Sequence, residues 1–220
     1  LQAFLDKILE GKTSLRVLEA GCGSAGSIKF KDDVSLVGID LSEKQIKNNK
    51  RLTAKVLGDI ERQNFRPGSF DLIVSWNVLE HLSRPIPALD NIVTALDKGG
   101  IVILKLPNVF SLKGLMAKYL PFPLHVLIYK LMFGRKWPAD NAEGPFRTHM
   151  DLSISPKGIR GYAVSRGLSV LYYDTYDILD AKWFRDKKAI YLAYRTLKAV
   201  CRILSLGKLG DSEFVFVLGK

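Results

Sequence analysis

"VLEAGCGSAG", residues 17–26, runs from an apolar stretch into a glycine-rich turn, and the reading of that turn decides the fold. Gly21-Cys22-Gly23-Ser24-Ala25-Gly26 spells G-x-G-x-x-G, a turn that closes a strand and lets the backbone come close to a ligand. Asp40 ends the next β-branched run, "VSLVGID", nineteen residues after Gly21, where a carboxylate can accept both hydroxyls of a ribose. A dinucleotide fits the turn and Asp40 as well as any other adenosine-bearing cofactor does. Neither feature names the ligand.

Outward from the turn, residues 15–106 alternate short apolar runs with helical stretches, the pattern of a parallel sheet. "LRVLEA", "VSLVGID", "AKVLGD", "FDLIVSW" and "GGIVILKLP" predict five strands, with a helix at 42–51 capped by Ser42 and another from Arg84-Pro85. Sheets of this kind bind ligands at the carboxyl ends of their strands, so Glu19, Asp40, Asp59 and Asn77 share that edge. Residues 109–150 break the alternation, with one or two helices and the irregular "WPADNAEGPFRTHM". Ser155, Pro156 and Gly167 then bracket a further helix, "SVLYYDTYD" predicts a sixth strand, Lys182 to Leu206 one long helix, and "SEFVFVL" a last strand.

Three features separate the cofactors. Seven residues lie between Gly26 and Val34, leaving a very short helix to receive a pyrophosphate. Asp59 puts a second acceptor within reach of an adenine amino group. Glu19, just before the glycines, repels a pyrophosphate and suits a cation. An amino group and a sulfonium, with no phosphate, answer that description.

The motifs "VLEAGCGSAG", "VGIDLSEKQI", "LGDIE", "FDLIVSWNVLEHL" and "LDKGGIVILKLPN", in this order and spacing over residues 15–108, resemble those of class I S-adenosylmethionine-dependent methyltransferases. The resemblance implies a Rossmann-like α/β fold: a seven-stranded, mostly parallel sheet with helices on both faces and the last strand antiparallel. It implies one domain, with a cofactor half at 1–108, a helical lid and acceptor insertion at 109–150, and the remaining core at 151–220. S-adenosylmethionine is then the cofactor and S-adenosylhomocysteine the product. Glu19, Gly21, Cys22 and Gly23 surround the methionine moiety, Asp40 holds the ribose, Leu41, Asp59 and Ile60 meet the adenine, and Asn77 lies beside the sulfonium. The third glycine of the family falls on Ala25 here, with Gly26 one place later, so Gly26 is left out of the set. Asp71, at a strand start, is read as a structural anchor.

Methyl transfer is an in-line displacement governed by alignment, and an oxygen nucleophile also needs a base. Of three histidines, His81 in "NVLEHL" lies just past the fourth strand and His149 in "GPFRTHM" lies where the resemblance places an acceptor-facing histidine; these two are the catalytic candidates. His125 sits in the apolar "FPLHVLIYK" and reads as a core or interface residue. "NVLEH" also approaches the Glu-x-x-Glu-His metal site of small-RNA 2′-O-methyltransferases. Asn77 replaces its first glutamate, and no metal is expected.

The formal charge of +11 sits outside the cofactor half: residues 181–208 carry eight Lys/Arg against Asp186, and 110–150 carry six against two acids. Apolar residues at near-helical spacing alternate with the basic ones over 181–206, the pattern of a helix that meets an anionic membrane surface. The expected acceptor is accordingly hydrophobic: a lipid-linked, glycan or secondary-metabolite hydroxyl, with the protein cytoplasmic and peripheral at the inner membrane surface. RNA as acceptor and a catalytically silent partner-binding subunit are the alternatives; no RNA-binding module accompanies the basic segments. Two cysteines, Cys22 and Cys201, form no disulfide framework and fit a reducing compartment. No secretory signal pattern opens the chain at Leu1, no apolar run is long enough to span a bilayer, and oligomeric state is not legible.

Overall fold

The buried β-branched runs become the strands of one sheet in the computed structural model, which describes residues 1–12, 14–26, 28–30, 34–133, 148–204 and 209–220. The elements are α1 (Gln2–Ile8), β1 (Leu15–Ala20), β2 (Val34–Asp40), α2 (Glu43–Asn48), β3 (Ala54–Leu57), β4 (Phe70–Trp76), α3 (Pro85–Ala95), β5 (Leu96–Pro107), α4 (Leu112–Tyr119), α5 (Phe122–Phe133), α6 (Pro156–Ser165), β6 (Ser169–Tyr176), α7 (Lys182–Arg185), α8 (Lys188–Leu204) and β7 (Glu213–Gly219). The strand order is β3-β2-β1-β4-β5-β7-β6, with β7 antiparallel to both of its neighbours and every other pairing parallel. This is the seven-stranded Rossmann-like arrangement expected.

Alternate residues of each strand feed two cores, because successive side chains point to opposite faces. Leu18, Ile39, Ile73, Leu104 and Phe216 pack with Leu89 and Ile92 of α3 and Ile159 of α6. Val17, Leu36, Leu72, Ile103 and Val217 pack with Leu5 of α1 on the other face. Each fully buried side chain of this size contributes about 1.5–3 kcal/mol. The cores therefore fix the register that aligns the strand ends.

Local signals set the helix starts. Ser42 accepts from the Gln45 amide at 3.3 Å ahead of α2, and Ser155 accepts from Gly158 at 3.1 Å ahead of α6, with Pro156 in its first position. Gly167, at φ +66°, follows the end of α6.

Four differences from the sequence expectation have physical causes. Strand β5 begins at Leu96, three residues early, because its pairing with β4 shifts register between Phe70 and Leu72 and takes the Gly99-Gly100 step inside the strand. No helix forms between β1 and β2 among the described residues, since so short a segment cannot complete the turns that stabilise one. The expected single helix from Lys182 is two. Phe184 is fully buried, and Tyr191 and Tyr194 meet its ring edge-on at centroid distances of 6.2 and 5.6 Å. One straight helix would set residues 184 and 191 roughly 10 Å apart along its axis, so the chain breaks after Arg185 and packs α8 back on α7. Helix α1 was not anticipated, although Leu1, Phe4, Leu5 and Ile8 show its helical spacing. Among its described residues the insertion supplies two helices, α4 and α5. Residues 137–147 of "WPADNAEGPFRTHM" and residues 205–206 of the basic helix lie outside the described residues, as does the side chain of His125.

Candidate functional site

Strands β1, β2 and β4 end at one edge, and the turns leaving them wall a cavity of about 690 Å³. The glycine turn is pinned to β2: the amides of Gly21 and Cys22 donate to the Ile39 carbonyl at 2.8 and 3.0 Å. Gly21 adopts φ +76°, and a Cβ there would stand 2.4 Å from a Val78 methyl, so the turn needs glycine for both conformation and room. Gly23, at φ +50°, donates its amide to Asp40 Oδ2 at 2.8 Å, while the Ser42 amide donates to Oδ1 at 2.8 Å. Two backbone donors thus fix the Asp40 carboxylate and leave each oxygen further lone pairs for a ligand's hydroxyls.

Glu19 is buried at the cavity wall. Arg51 Nη1 donates to its Oε1 at 3.3 Å, and its buried Oε2 has no hydrogen-bond partner. Burial pushes the Glu19 carboxyl above the usual carboxylate range, with Arg51 opposing. An orphaned carboxylate oxygen on a ligand cavity calls for an N–H donor or a cation. Cys22 is buried between the acids; burial first, then Asp40 and Glu19, push its thiol up to about 12, so it stays a neutral filler. Leu41, Ile60, Trp76 and Val78 add apolar lining. The residues present fit a ligand with a ribose, a flat apolar base and a cationic tail.

Residues 18–104 match the family described as "Methyltransferase domain". This likeness to a methyltransferase domain runs from β1 into β5, under half of the chain. The chain is 31% identical over 110 residues to an uncharacterized protein of Methanocaldococcus jannaschii, a match that takes in 50% of this chain and 48% of that one. The chain thus spans about half the length of this curated relative. Among solved structures, it superposes with a TM-score of 0.57 on an S-adenosylmethionine-dependent methyltransferase from Mesorhizobium loti, at 15% identity over 98% of this chain and 95% of that one. It superposes at 0.59 on Haemonchus contortus phosphoethanolamine N-methyltransferase 2 in complex with S-adenosyl-L-methionine, at 17% identity over 99% of this chain and 51% of that one. At these identities the likeness is one of fold.

Within this cavity the expected residues separate. Glu19, Gly21, Cys22, Gly23, Asp40, Leu41, Ile60 and Asn77 line it together, and so does Gly26, which the sequence reading set aside. A Cβ on Gly26 would fall 1.0 Å from Arg51 Nη1, so this glycine clears the path of Arg51 to Glu19. Asp59 is not among the lining residues. Its carboxylate accepts from the Glu61 amide at 2.9 Å and turns the chain, while its neighbours Gly58 and Ile60 face the cavity. Arg51, Ser42, Gln45 and Trp76 were missed. Arg51 follows α2 in a charged stretch, "KNNKRL", that carries no motif.

Of the catalytic candidates, His81 lines the cavity and His149 is exposed and outside its lining. The two segments meet nonetheless, because the His149 amide donates to the Glu80 carbonyl at 2.7 Å.

Beneath them lies a buried charge cluster that the sequence did not disclose. Lys105 of β5 is buried and bonds Glu213 of β7 and the amide oxygen of Asn77; Lys113 of α4 bonds the other Glu213 oxygen. Burial raises the Glu213 carboxyl, but Lys113 and Lys105 outweigh it and hold it at about 2. Glu80 is buried with Oε2 lacking any partner, and burial, with Glu213 adding to it, pushes its carboxyl up to about 7. Asn77 adopts φ +55°, and its own amide donates to the Lys105 carbonyl at 2.9 Å. An ammonium is a donor alone, so Lys105 takes the Asn77 oxygen and leaves the side-chain N–H groups for other partners.

Proposed function

We propose that the protein transfers the methyl group of S-adenosylmethionine to an oxygen of a hydrophobic or lipid-linked acceptor. The observation that carries the reading is the pairing of a doubly braced Asp40 with an orphaned Glu19 carboxylate oxygen on one cavity wall. Asp40 would hold the ribose hydroxyls, Glu19 the amino group, Leu41 and Ile60 the adenine faces, and Asp59 its rim. When bound, the cofactor supplies an electrophilic methyl group on a sulfonium.

The residues of this chain supply placement and proton handling. Asn77, with its oxygen held by Lys105, offers N–H donors at the cavity, and a donor complements an oxygen nucleophile better than an amine. His81 at the cavity is the first candidate to take the acceptor's proton, and His149, tethered through Glu80, is the second. Lid surfaces support a hydrophobic acceptor: Phe110, Tyr119, Leu124 and Leu127 are exposed large apolar residues following β5 at the edge that holds the cavity.

Calorimetry with S-adenosylhomocysteine tests the cofactor assignment. The expected outcome is saturable binding that Asp40→Ala weakens about 100-fold, the worth of two hydrogen bonds to a charged group. No heat with the unaltered protein, or affinity indifferent to Asp40→Ala, overturns it.

A further inference from the structure

Helix α8 turns one face inward and leaves another bare. Tyr191, Tyr194, Lys198 and Cys201 are partly buried, and Lys198 bonds Asp177 past the end of β6 and reaches Asp211, before β7, at 3.4 Å. Leu192, Leu197, Val200, Ile203 and Leu204 are exposed by 47–77%. At 3.6 residues per turn these five fall on one stripe roughly 140° wide. Exposed Lys188, Arg195 and Arg202 follow one border of that stripe.

The composition of the stripe selects its partner. The bare face is aliphatic apart from Thr196 and holds no aromatic ring, because the tyrosines of α8 are spent against Phe184. A nucleic acid strand would need aromatic faces to stack on, and α8 offers its own none outward. A second copy of the chain would bring like charges together, since the segment 181–208 carries eight basic residues against one acid. Aliphatic depth beside a basic border matches an anionic lipid surface, with acyl chains below and phosphates alongside. Among the described residues no helix is long and apolar enough to cross a membrane, so contact would be in the plane.

We infer that α8 lies on an anionic lipid surface, its Leu192–Leu204 stripe in the acyl boundary and Lys188, Arg195 and Arg202 at the phosphates. Asp177 and Asp211 anchor the helix at the edge of the sheet that also holds the cavity. The lipid surface would then lie beside the acceptor side of the site, where a lipid-linked substrate is held. This docking goes beyond methyl transfer and stands or falls separately from it.

Co-sedimentation with phosphatidylcholine vesicles, with and without phosphatidylglycerol, decides the matter. The expected result is binding to the phosphatidylglycerol vesicles that high salt weakens. Lys188→Gln with Arg195→Gln should weaken it about 25-fold, at about five-fold for each basic residue. Leu192→Ser with Ile203→Ser should weaken it at least about tenfold, from lost apolar burial. Both pairs are exposed, so thermal midpoints and S-adenosylhomocysteine affinity should match the unaltered protein. Equal affinity for both vesicle types, no binding to either, sedimentation unmoved by both pairs, or preference for polyuridylate over the anionic vesicles overturns the inference. A protein that sediments with anionic vesicles but binds no S-adenosylhomocysteine would refute the cofactor assignment and leave the docking intact.

Discussion

The two halves of the sheet's carboxyl edge solve different problems with the same acids. On the β3-β2-β1-β4 side, Asp40 and Glu19 face a cavity, and backbone amides or a single arginine brace them. On the β5-β7-β6 side, Glu213 and Glu80 sit among Lys105, Lys113 and Asn77 in a closed cluster. An acid braced by backbone keeps capacity for a ligand. An acid neutralised by a buried lysine and a partly exposed one holds elements together instead, and its cost appears when a partner is removed.

The largest expected effect breaks the cluster. Lys105→Met leaves Glu213 with Lys113 alone and frees the Asn77 oxygen, and denaturant unfolding should show a loss of about 3–5 kcal/mol. Adding Glu213→Gln should recover part of that loss, because the buried carboxylate is gone and Lys113, partly exposed, can turn to solvent. Recovery without cofactor rescue would sharpen the comparison, tying Lys105 to Asn77 rather than to folding alone.

This contrast also explains what was legible. Glu19 and Asp40 sit at strand ends that the runs "LRVLEA" and "VSLVGID" announce, and their places follow from the glycine turn and the parallel order, whereas Ile60, three residues past β3, came from the family resemblance alone. Lys105 and Glu213 lie 108 positions apart, joined by the antiparallel register that sets Pro107 opposite Glu213. No local pattern in "VILKLPN" points to a partner that far along the chain. The break after Arg185 was hidden for a related reason: periodicity records which residues are apolar, not that Tyr191 and Tyr194 must both reach one buried ring. Asp59 was expected to close the third strand, but β3 ends at Leu57 and the Asp59 carboxylate closes a local turn two residues beyond it, a choice that spacing does not reveal.

Titration of Glu80 gives the next effect. Its folded carboxyl is raised from 4.5 to about 7 by burial, so its contribution is full below pH 4.5 and is lost as pH rises through about 7. Glu80→Gln should therefore flatten stability across that window. The variant should exceed the unaltered protein above pH 7 by up to about 3 kcal/mol, and match it in acid. Unfolding midpoints measured against pH check this, and a slope unchanged by the substitution would place the titration elsewhere. Glu213, held at about 2, contributes the opposite way: its stabilisation is present above 4.5 and is lost as pH falls through about 2.

On the cavity side the sensitive element is backbone. Gly21→Ala forces a side chain into φ +76° against the Val78 methyls, for about 1–3 kcal/mol of stability. Its effect on S-adenosylhomocysteine affinity should exceed its effect on the thermal midpoint, since the turn must move to make room. Equal and small effects on both would show that the turn tolerates the shift, and would weaken the case that its shape is built for a ligand.

The smallest effect comes from the opposite edge and serves as the reference for the rest. Arg16 of β1 bonds Asp71 of β4 through Nη2 at 2.6 Å and Nε at 3.1 Å, and the Arg16 amide donates to the same carboxylate at 2.9 Å. Asp71 is thus the anchor that its place at a strand start suggested. The pair is as well made as any in the cavity, yet the Arg16 side chain is 44% exposed, and solvent screens what geometry provides. Arg16→Gln should cost under about 1 kcal/mol, less still at high salt, and leave S-adenosylhomocysteine affinity unchanged. Good hydrogen-bond geometry at the amino edge of the sheet then counts for less than an orphaned oxygen at the carboxyl edge. Burial, more than the number of contacts, determines which acids of this protein carry consequences.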